Sequence, residues 1–344
     1  MNFLKHLHPP MIRVTTLQPI TTLGLGIICL SCFILLVVTG ITLLLYYVPY
    51  QDVAYDRILH IMTTLRYGGV VRNLHYLAAN VLLIAGFLHL SRVFFTGGYR
   101  GRYLNWVYGL GLLTLILASN YTGYLLPWDQ TSYWAIKVGS NLASYFPVIG
   151  PSIRGFLLGG QEIGTDTLSR SFALHVAFLP SLWILFIALH LWRIRKAGGL
   201  AALKEPDPER IASSPILFKA ELAVGLLTLS FLLALALFIE APLSGRADPL
   251  RPPNPAKAPW YFVGIQEMVS HSALFGGIIV PLVIGLFLVF CPSLDHSNQP
   301  GGRWFVKERL ILNLVFAFIF LSQLLAIVVG YWFRGNNWLF RVPW

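Results

Sequence analysis

The feature that most constrains this chain is a repeated run of apolar residues long enough to cross a lipid bilayer. Seven such runs lie at about 20–47, 74–95, 105–126, 172–193, 219–240, 275–292 and 309–333. Each is close to the roughly 20 residues that a bilayer core requires. Only 11% of the 344 residues are charged, whereas a soluble domain has about 25%. The sequence therefore predicts an all-α integral membrane protein.

The distribution of basic residues bears on topology. The net charge is +11, but Lys and Arg are scattered through the predicted loops, which argues against nucleic-acid binding. The side that holds the N-terminus and the loops 92–104, 194–218 and 293–308 carries the larger share of them. The positive-inside rule then predicts a cytoplasmic N-terminus, with the long loops 127–171 and 241–274 on the opposite, positive side.

Two further features of the chain concern its processing and its division into domains. The first apolar run follows a polar segment and lacks a small-residue cleavage site, so no removable signal peptide is predicted. The segment 196–218 is polar and broken by prolines. We expect it to divide a four-span domain, residues 1–200, from a three-span domain, residues 201–344. The three cysteines have no zinc or haem-attachment spacing and are interpreted as packing residues.

Four histidines lie at matching depths in two of the predicted spans. His75 and His89 are 14 residues apart in the second span, and His175 and His190 are 15 apart in the fourth. In an α-helix these spacings place both side chains on one broad face, about 21–23 Å apart along the axis. Intramembrane ionisable residues are costly and usually functional, and axial histidines commonly hold haem. The pattern predicts two b-type haems, one on His75 and His175 and one on His89 and His190.

Arginines and glycines accompany these histidines. Arg72 precedes His75 by three residues and Arg92 follows His89 by three, so both could pair with anionic haem propionates; snorkelling to the interface is the alternative. Glycines recur at a spacing of 14 in the first and third spans, at Gly26 and Gly40 and at Gly109 and Gly123. Glycine lets a large planar ligand approach the backbone, and helix packing is the alternative. The shared period favours a four-helix bundle.

On these residues the sequence resembles the cytochrome b family of cytochrome bc and b6f complexes. The segments RNLHYLAANVLLIAGFLHLSR, TGYLLPWDQTSYWAIKV and DTLSRSFALHVAFLP are similar to cytochrome b6, whose histidine spacings are also 14 and 15. The segment ADPLRPPNPAKAPWYFVGIQEM resembles the three-helix subunit IV. The resemblance implies a fusion of the two, with a four-helix haem-binding bundle followed by three further transmembrane helices.

The resemblance also implies a function. It is that of a quinol:cytochrome c oxidoreductase subunit in a bacterial inner membrane. Quinol would be oxidised on the positive side, and quinone would be reduced near the cytoplasm, which builds a proton gradient. The implied partners are a Rieske iron–sulfur protein, a c-type cytochrome and a second copy of the complex in a homodimer. Arg195 matches a cytochrome b6 arginine near the inner quinone.

The sequence departs from the family at two places, one of which lies in the implied quinol site. Its residues are Pro127, Trp128, Pro259, Trp260 and Tyr261, of which Tyr261 is also a candidate catalytic residue. Where the family usually has Pro-Glu-Trp-Tyr, this chain reads Ala258-Pro259-Trp260-Tyr261, so Pro259 stands in place of the glutamate that accepts a proton. Glu267, the nearest carboxylate, is predicted as the substitute acceptor, with pairing to an arginine as the alternative. Gly24 replaces the cysteine that attaches an extra haem in b6-type proteins, so no covalent third haem is expected.

Two other functions stay open at this point. One is a di-haem cytochrome b anchor of a hydrogenase or formate dehydrogenase, which would purify without a Rieske centre. The other is a transporter or a purely structural membrane subunit, which would show no b-type absorption band after reduction.

Overall fold

The computed structural model describes residues 8–199, 209–297 and 301–342, and these are largely helical. The helices are α1 (Leu25–Leu44), α2 (Ala54–Thr63), α3 (Gly68–Phe95), α4 (Tyr103–Leu125), α5 (Gln130–Ala143), α6 (Gly150–Leu158), α7 (Thr165–Lys196), α8 (Ile216–Ala236), α9 (Trp260–His271), α10 (Phe275–Leu294) and α11 (Leu310–Trp332). Short helical turns lie at Val14–Leu17, Pro19–Thr22, Lys307–Arg309 and Asn336–Trp338. The predicted all-α membrane fold is confirmed.

Seven of these helices correspond to the seven predicted spans. Six of them, α1, α3, α7, α8, α10 and α11, are long and apolar enough to cross a membrane. The remaining one, α4, has 23 residues, or about 35 Å at 1.5 Å per residue, but includes polar side chains such as Asn105 and Asn120. It runs antiparallel to α7, because Gly109 of α4 faces His190 and Gly123 faces His175. It therefore traverses the same depth as its apolar neighbour.

Helices α1, α3, α4 and α7 form the predicted four-helix bundle. In it α1 packs on α3, α4 packs on α7, and α3 contacts α4. Halfway along, the interior is filled by apolar side chains that include Leu82, Ile116 and Trp183. Phe33 of α1 stacks on Trp183 with ring centroids 5.0 Å apart. Burial of this apolar layer holds the helices at a fixed spacing and separates the two histidine levels.

The α7 helix contains one wide, π-helical turn at Leu174–Phe178. There the backbone N–H of Leu179 bonds to the carbonyl of Leu174, five residues earlier. Pro180 follows, and proline lacks an N–H and clashes with the carbonyl four residues before it in a regular α-helix. The wide turn accommodates the proline by inserting one extra residue. Helix α10 has a similar π-helical turn at Phe275–Ile279.

The C-terminal helices pack directly on the bundle. Helix α8 contacts α1 and α3, and α9 packs on α11. A two-stranded antiparallel ribbon, β1 (Met11–Arg13) with β2 (Arg210–Ala212), joins the segment before α1 to the segment before α8. The predicted domain boundary between residues 200 and 201 lies outside the described residues.

Candidate functional site

The first histidine pair, His75 on α3 and His175 on α7, faces across the bundle and is called the first level. The two ring centroids are 6.2 Å apart, and the ring planes are inclined by 69°. Two imidazoles that bind one metal from opposite sides, at about 2 Å per nitrogen, leave their centroids about 6 Å apart. The pair therefore has the separation that a single shared metal atom requires.

The second pair, His89 and His190, lies toward the other end of the same two helices and is called the second level. The two rings are close enough to interact electrostatically. In the part of the chain that the structure describes, no three or more His, Cys, Asp and Glu side chains cluster so as to hold a metal ion. Among the described residues, each level therefore brings together two imidazoles without a third His, Cys, Asp or Glu to complete a metal site.

Each of the four glycines predicted near the cofactors contacts one of the four imidazole rings. A Cβ atom built on the glycine would lie 3.3 Å from Cε1 of His75 at Gly40, 2.6 Å from Cε1 of His175 at Gly123, 3.7 Å from Cε1 of His89 at Gly26, and 3.5 Å from Cε1 of His190 at Gly109. Ordinary van der Waals contact begins near 3.4 Å. The glycines therefore let the helices of the bundle approach the imidazole rings.

The π-helical turn explains why spacings of 14 and 15 give equivalent geometry. Gly109 and Gly123 are 14 residues apart in the regular helix α4, yet they meet His190 and His175, which are 15 apart on α7. The extra residue is taken up by the wide turn at Leu174–Phe178. The two α7 histidines therefore lie on one face. The angle between them around the helix axis is smaller than a 15-residue spacing gives in an uninterrupted α-helix.

Three of the four imidazoles have a partner at Nδ1. The hydroxyl Oγ1 of Thr39 lies 2.9 Å from Nδ1 of His75, and Oγ1 of Thr122 lies 3.1 Å from Nδ1 of His175. At the second level, Nδ1 of His190 donates to the backbone carbonyl of Asn105 at 3.2 Å. Among the described residues, Nδ1 of His89 is buried and has no hydrogen-bond partner. The sequence analysis predicted none of the three partners, although the repeated dipeptide Thr-Gly at 39–40 and 122–123 is a signal for the two threonines.

The predicted propionate-binding arginines occupy buried positions outward of the histidines. Arg72 donates from Nη1 to the carbonyl of Ala241 and from Nη2 to that of Pro242, both at 2.7 Å. It therefore fixes the loop after α8 against the first level. Arg92 is buried at the end of α3, one turn beyond His89. Arg195 is half-buried in the last turn of α7.

The Pro127-Trp128 turn lies between α4 and α5. Trp128 is buried with a left-handed φ of 51°, a conformation that costs free energy for a residue other than glycine. Asp129 then caps α5, because its Oδ1 accepts from the backbone N–H of Ser132 at 2.9 Å. Its Oδ2 accepts from the N–H of Ser244 at 2.8 Å. The turn is thereby joined to the loop that leads to α9.

The first turn of α9 packs on two bundle helices. Pro259 is its N-terminal cap, and Trp260 donates from Nε1 to Oδ1 of Asn80 on α3 at 2.7 Å. The hydroxyl of Tyr261 lies 3.4 Å from the carbonyl of Asn120 on α4. Both rings adjoin the apolar interior of the bundle, whereas the Pro127-Trp128 turn belongs to a separate buried cluster. The two predicted halves of the quinol site therefore pack in different apolar clusters, and the quinol site itself stays a prediction.

Glu267 forms the arginine pair that the sequence left as an alternative. Its Oε2 accepts from Nε of Arg334 at 3.0 Å and from Nε1 of Trp338 at 2.9 Å, and Nη2 of Arg334 donates to Oε1. Burial alone would raise the pKa of this carboxyl, but the hydrogen bonds from Arg334 and Trp338 outweigh it and lower the pKa below its ordinary value. A carboxylate with a lowered pKa is a weak proton acceptor, so these contacts favour a structural role.

Comparison with known proteins identifies the family. A family model described as Cytochrome b/b6/petB matches residues 14–198. The chain belongs to the cytochrome b family. It is 41% identical over 175 residues to cytochrome b6 of Heliomicrobium gestii, which covers 51% of this chain and 82% of that protein. It is 38% identical over 174 residues to cytochrome b6 of Cyanidium caldarium, covering 50% of this chain and 81% of that protein.

The similarity of fold extends beyond residues 14–198. A solved structure named Hyperthermophilic respiratory Complex III includes a chain that matches with a TM-score of 0.79 at 24% identity, over 94% of this chain and 85% of that one. The C-terminal helices are therefore part of a known fold. Family membership makes the protein a haem-binding membrane cytochrome b of electron transport, of the type found in bc and b6f complexes, and confirms the resemblance to cytochrome b6.

Proposed function

We propose that the protein is the quinol-oxidising subunit of a Rieske/cytochrome b complex and acts as part of a quinol:cytochrome c oxidoreductase. In this proposal His75 with His175 would hold one b haem, and His89 with His190 would hold a second. The observation that carries it is the first level, where two imidazoles lie 6.2 Å apart across the bundle, the separation that one shared metal atom requires.

The residues around each level fit a flat macrocycle. Two imidazoles supply only two ligands to a metal, so a macrocycle would supply the others. The glycines at 26, 40, 109 and 123 let the helices lie close to the imidazole rings. A bound haem supplies one-electron oxidation and reduction. Arg72 and Arg92 are buried cations outward of the two levels, and in this proposal they pair with the anionic propionates.

The remaining assignments concern the two faces of the membrane. Quinol would bind on the positive side, between the Pro127-Trp128 turn and the segment Pro259-Trp260-Tyr261, where the Tyr261 hydroxyl is the candidate that touches substrate. Quinone would be reduced near Arg195 on the cytoplasmic side, which also holds the N-terminus of this inner-membrane protein. The proposed partners are a Rieske protein, a c-type cytochrome and a second complex in a homodimer.

The proposed acceptor of the quinol proton is Glu267. Glu267 stays a prediction, and its bonds to Arg334 and Trp338 weigh against it. A Glu267→Gln variant decides between the two roles. If the variant loses quinol oxidation while the segment after α11 stays packed on α9, Glu267 has a role in proton transfer. An unchanged rate of quinol oxidation excludes that role.

The proposal is tested on the complex purified from membranes. We expect a reduced b-type absorption band, two b-type transitions in a redox titration, and a co-purifying Rieske centre. His175→Ala should remove the transition of the first level alone, and His190→Ala that of the second. His60→Ala on α2, outside the bundle, serves as the matched control and should retain both.

Other outcomes contradict this assignment. Two haems in a complex that contains no Rieske centre would favour a di-haem anchor of another respiratory complex. Retention of both transitions in His175→Ala would show that the ligand assignment is wrong.

A further inference from the structure

The imidazoles of the first level share a feature that the second level lacks. Each has its Nδ1 atom next to a buried threonine hydroxyl, at 2.9 Å for Thr39 and His75 and at 3.1 Å for Thr122 and His175. Each threonine lies on a different helix from its histidine. The contacts therefore fix the orientation of both rings across helix–helix interfaces.

The direction of these hydrogen bonds follows from the other bond that each hydroxyl makes. Thr39 donates to the carbonyl of Leu35 at 2.7 Å, and Thr122 donates to that of Ala118 at 2.9 Å. A hydroxyl has one hydrogen. With that hydrogen given to the carbonyl, the hydroxyl oxygen accepts from Nδ1–H of the imidazole. Nε2 then carries the free lone pair, as a metal ligand requires.

The second level has no threonine acceptor and one backbone carbonyl acceptor. Nδ1–H of His190 donates to the carbonyl of Asn105, and Nδ1 of His89 is buried without a partner in the described part of the chain. An acceptor at Nδ1–H raises the basicity of an imidazole ligand. A more basic axial ligand stabilises the oxidised metal, and hydrogen bonding beyond the ligand is one of the means by which a protein sets a haem potential.

We propose that Thr39 and Thr122 are positioning residues that lower the reduction potential of the haem held by His75 and His175. The inference rests on the proposed haem ligation and deepens it. A lower potential at the first level makes electron flow toward the second level downhill, which is the direction that quinol oxidation beside the first level requires. Both hydroxyls act through the imidazoles and touch neither substrate nor cofactor.

The test uses Thr39→Val and Thr122→Val in the purified complex, because valine keeps the shape of threonine and removes the acceptor. We expect the reduction equilibrium of the first-level haem to change about tenfold in each variant. This corresponds to a rise in its reduction potential of about 59 mV for a one-electron couple. The transition of the second level should stay in place. The electron paramagnetic resonance spectrum of the oxidised first-level haem should also change as its imidazole rings reorient.

The chain offers matched controls on the same helices. Thr42 of α1 and Thr114 of α4 also donate to the carbonyl four residues earlier, at 2.9 Å and 3.1 Å, but both are exposed. Thr42→Val and Thr114→Val should leave both potentials unchanged. Thr39→Ser and Thr122→Ser keep the hydroxyl acceptor and should have the wild-type potential. These serine variants also provide the test if a valine variant fails to assemble.

The outcomes separate this inference from the proposed function. If His175→Ala loses the first-level transition while the valine variants leave both potentials unchanged, only the role of the threonines is wrong. An equal shift of both transitions would also overturn it. If His175→Ala retains both transitions, the ligation itself fails, and the threonine inference fails with it.

Discussion

The two levels each pair one histidine of α3 with one histidine of α7, yet their surroundings differ. At the first level a Cβ atom on the glycine would lie 3.3 or 2.6 Å from the facing imidazole, and at the second level 3.7 or 3.5 Å. Both first-level imidazoles have threonine acceptors, whereas the second level has one backbone acceptor. A repeated sequence period therefore produces two histidine pairs with unequal packing, and the difference lies in the residues next to the imidazoles.

The chain segments that cover the two levels also differ. Near the first level, Asn73 donates to the carbonyl of Ala236 at 3.0 Å and accepts from the N–H of Ala241 at 2.8 Å, which ties α3 to the end of α8. Beyond the second level, the two-stranded ribbon joins the segments that precede α1 and α8. Asn73 of α3 thus holds the end of α8 next to the first level by bonding to backbone groups of the C-terminal part.

The largest expected difference between the levels is the effect on haem content of replacing a glycine with alanine. In Gly123→Ala the new Cβ would lie 2.6 Å from the His175 ring, so the ring or the helix must move. In Gly26→Ala the contact with His89 is 3.7 Å and needs no shift. We expect Gly123→Ala to lose most of the first-level haem and Gly26→Ala to keep both, as measured by haem content per complex.

The result can contradict the comparison in a clear way. Equal haem content in the two alanine variants would mean that helix α4 adjusts without cost, and that the tighter contact at the first level has no consequence. Loss of haem from both levels in Gly123→Ala would mean that the levels are not independent.

A smaller effect is expected from the brace at Asn73. Replacing Asn73 with alanine leaves the carbonyl of Ala236 and the N–H of Ala241 without this partner, at about 1–3 kcal/mol for each buried group. We expect a lower midpoint temperature of thermal unfolding and a broadened first-level transition. Ser91→Ala removes a hydroxyl that bonds within α3 and is the control, expected to change neither property. A uniform effect on both levels would show that Asn73 stabilises the whole bundle.

The sequence was sufficient for the parts of this fold that depend on local pattern. Seven apolar runs predicted the seven helices of spanning length, and the histidine spacing paired His75 with His175. The threonine acceptors could also have been found, because Thr-Gly occurs twice at equivalent places. The wide turn at Leu174–Phe178 is harder to predict from the sequence. Pro180 indicates a distortion of the helix but does not specify that one residue is inserted.

The partner of Glu267 could not be predicted. Arg334 is 67 residues away, and its approach depends on how the segment after α11 folds back on α9, which no local pattern in the sequence specifies. The loss of the family's glutamate drew attention to Glu267 as a proton acceptor, and the sequence could offer pairing with an arginine only as an alternative.

The smallest expected effect concerns the Glu267–Arg334 pair in the C-terminal part. Its variants distinguish stabilisation of the C-terminal segment from an effect on the haem potentials. Because the folded-state pKa of Glu267 is lowered, its stabilisation is fully present above the ordinary carboxyl pKa of 4.5 and is lost as pH falls through the lower folded value. We expect cleavage of the segment after α11 by a protease active in acid to increase only below about pH 4.5. Arg334→Gln should remove this pH dependence and leave both haem potentials unchanged, since the pair contacts neither histidine level. A shift of the first-level potential in Arg334→Gln would show instead that the C-terminal segment acts on the haem site through α9.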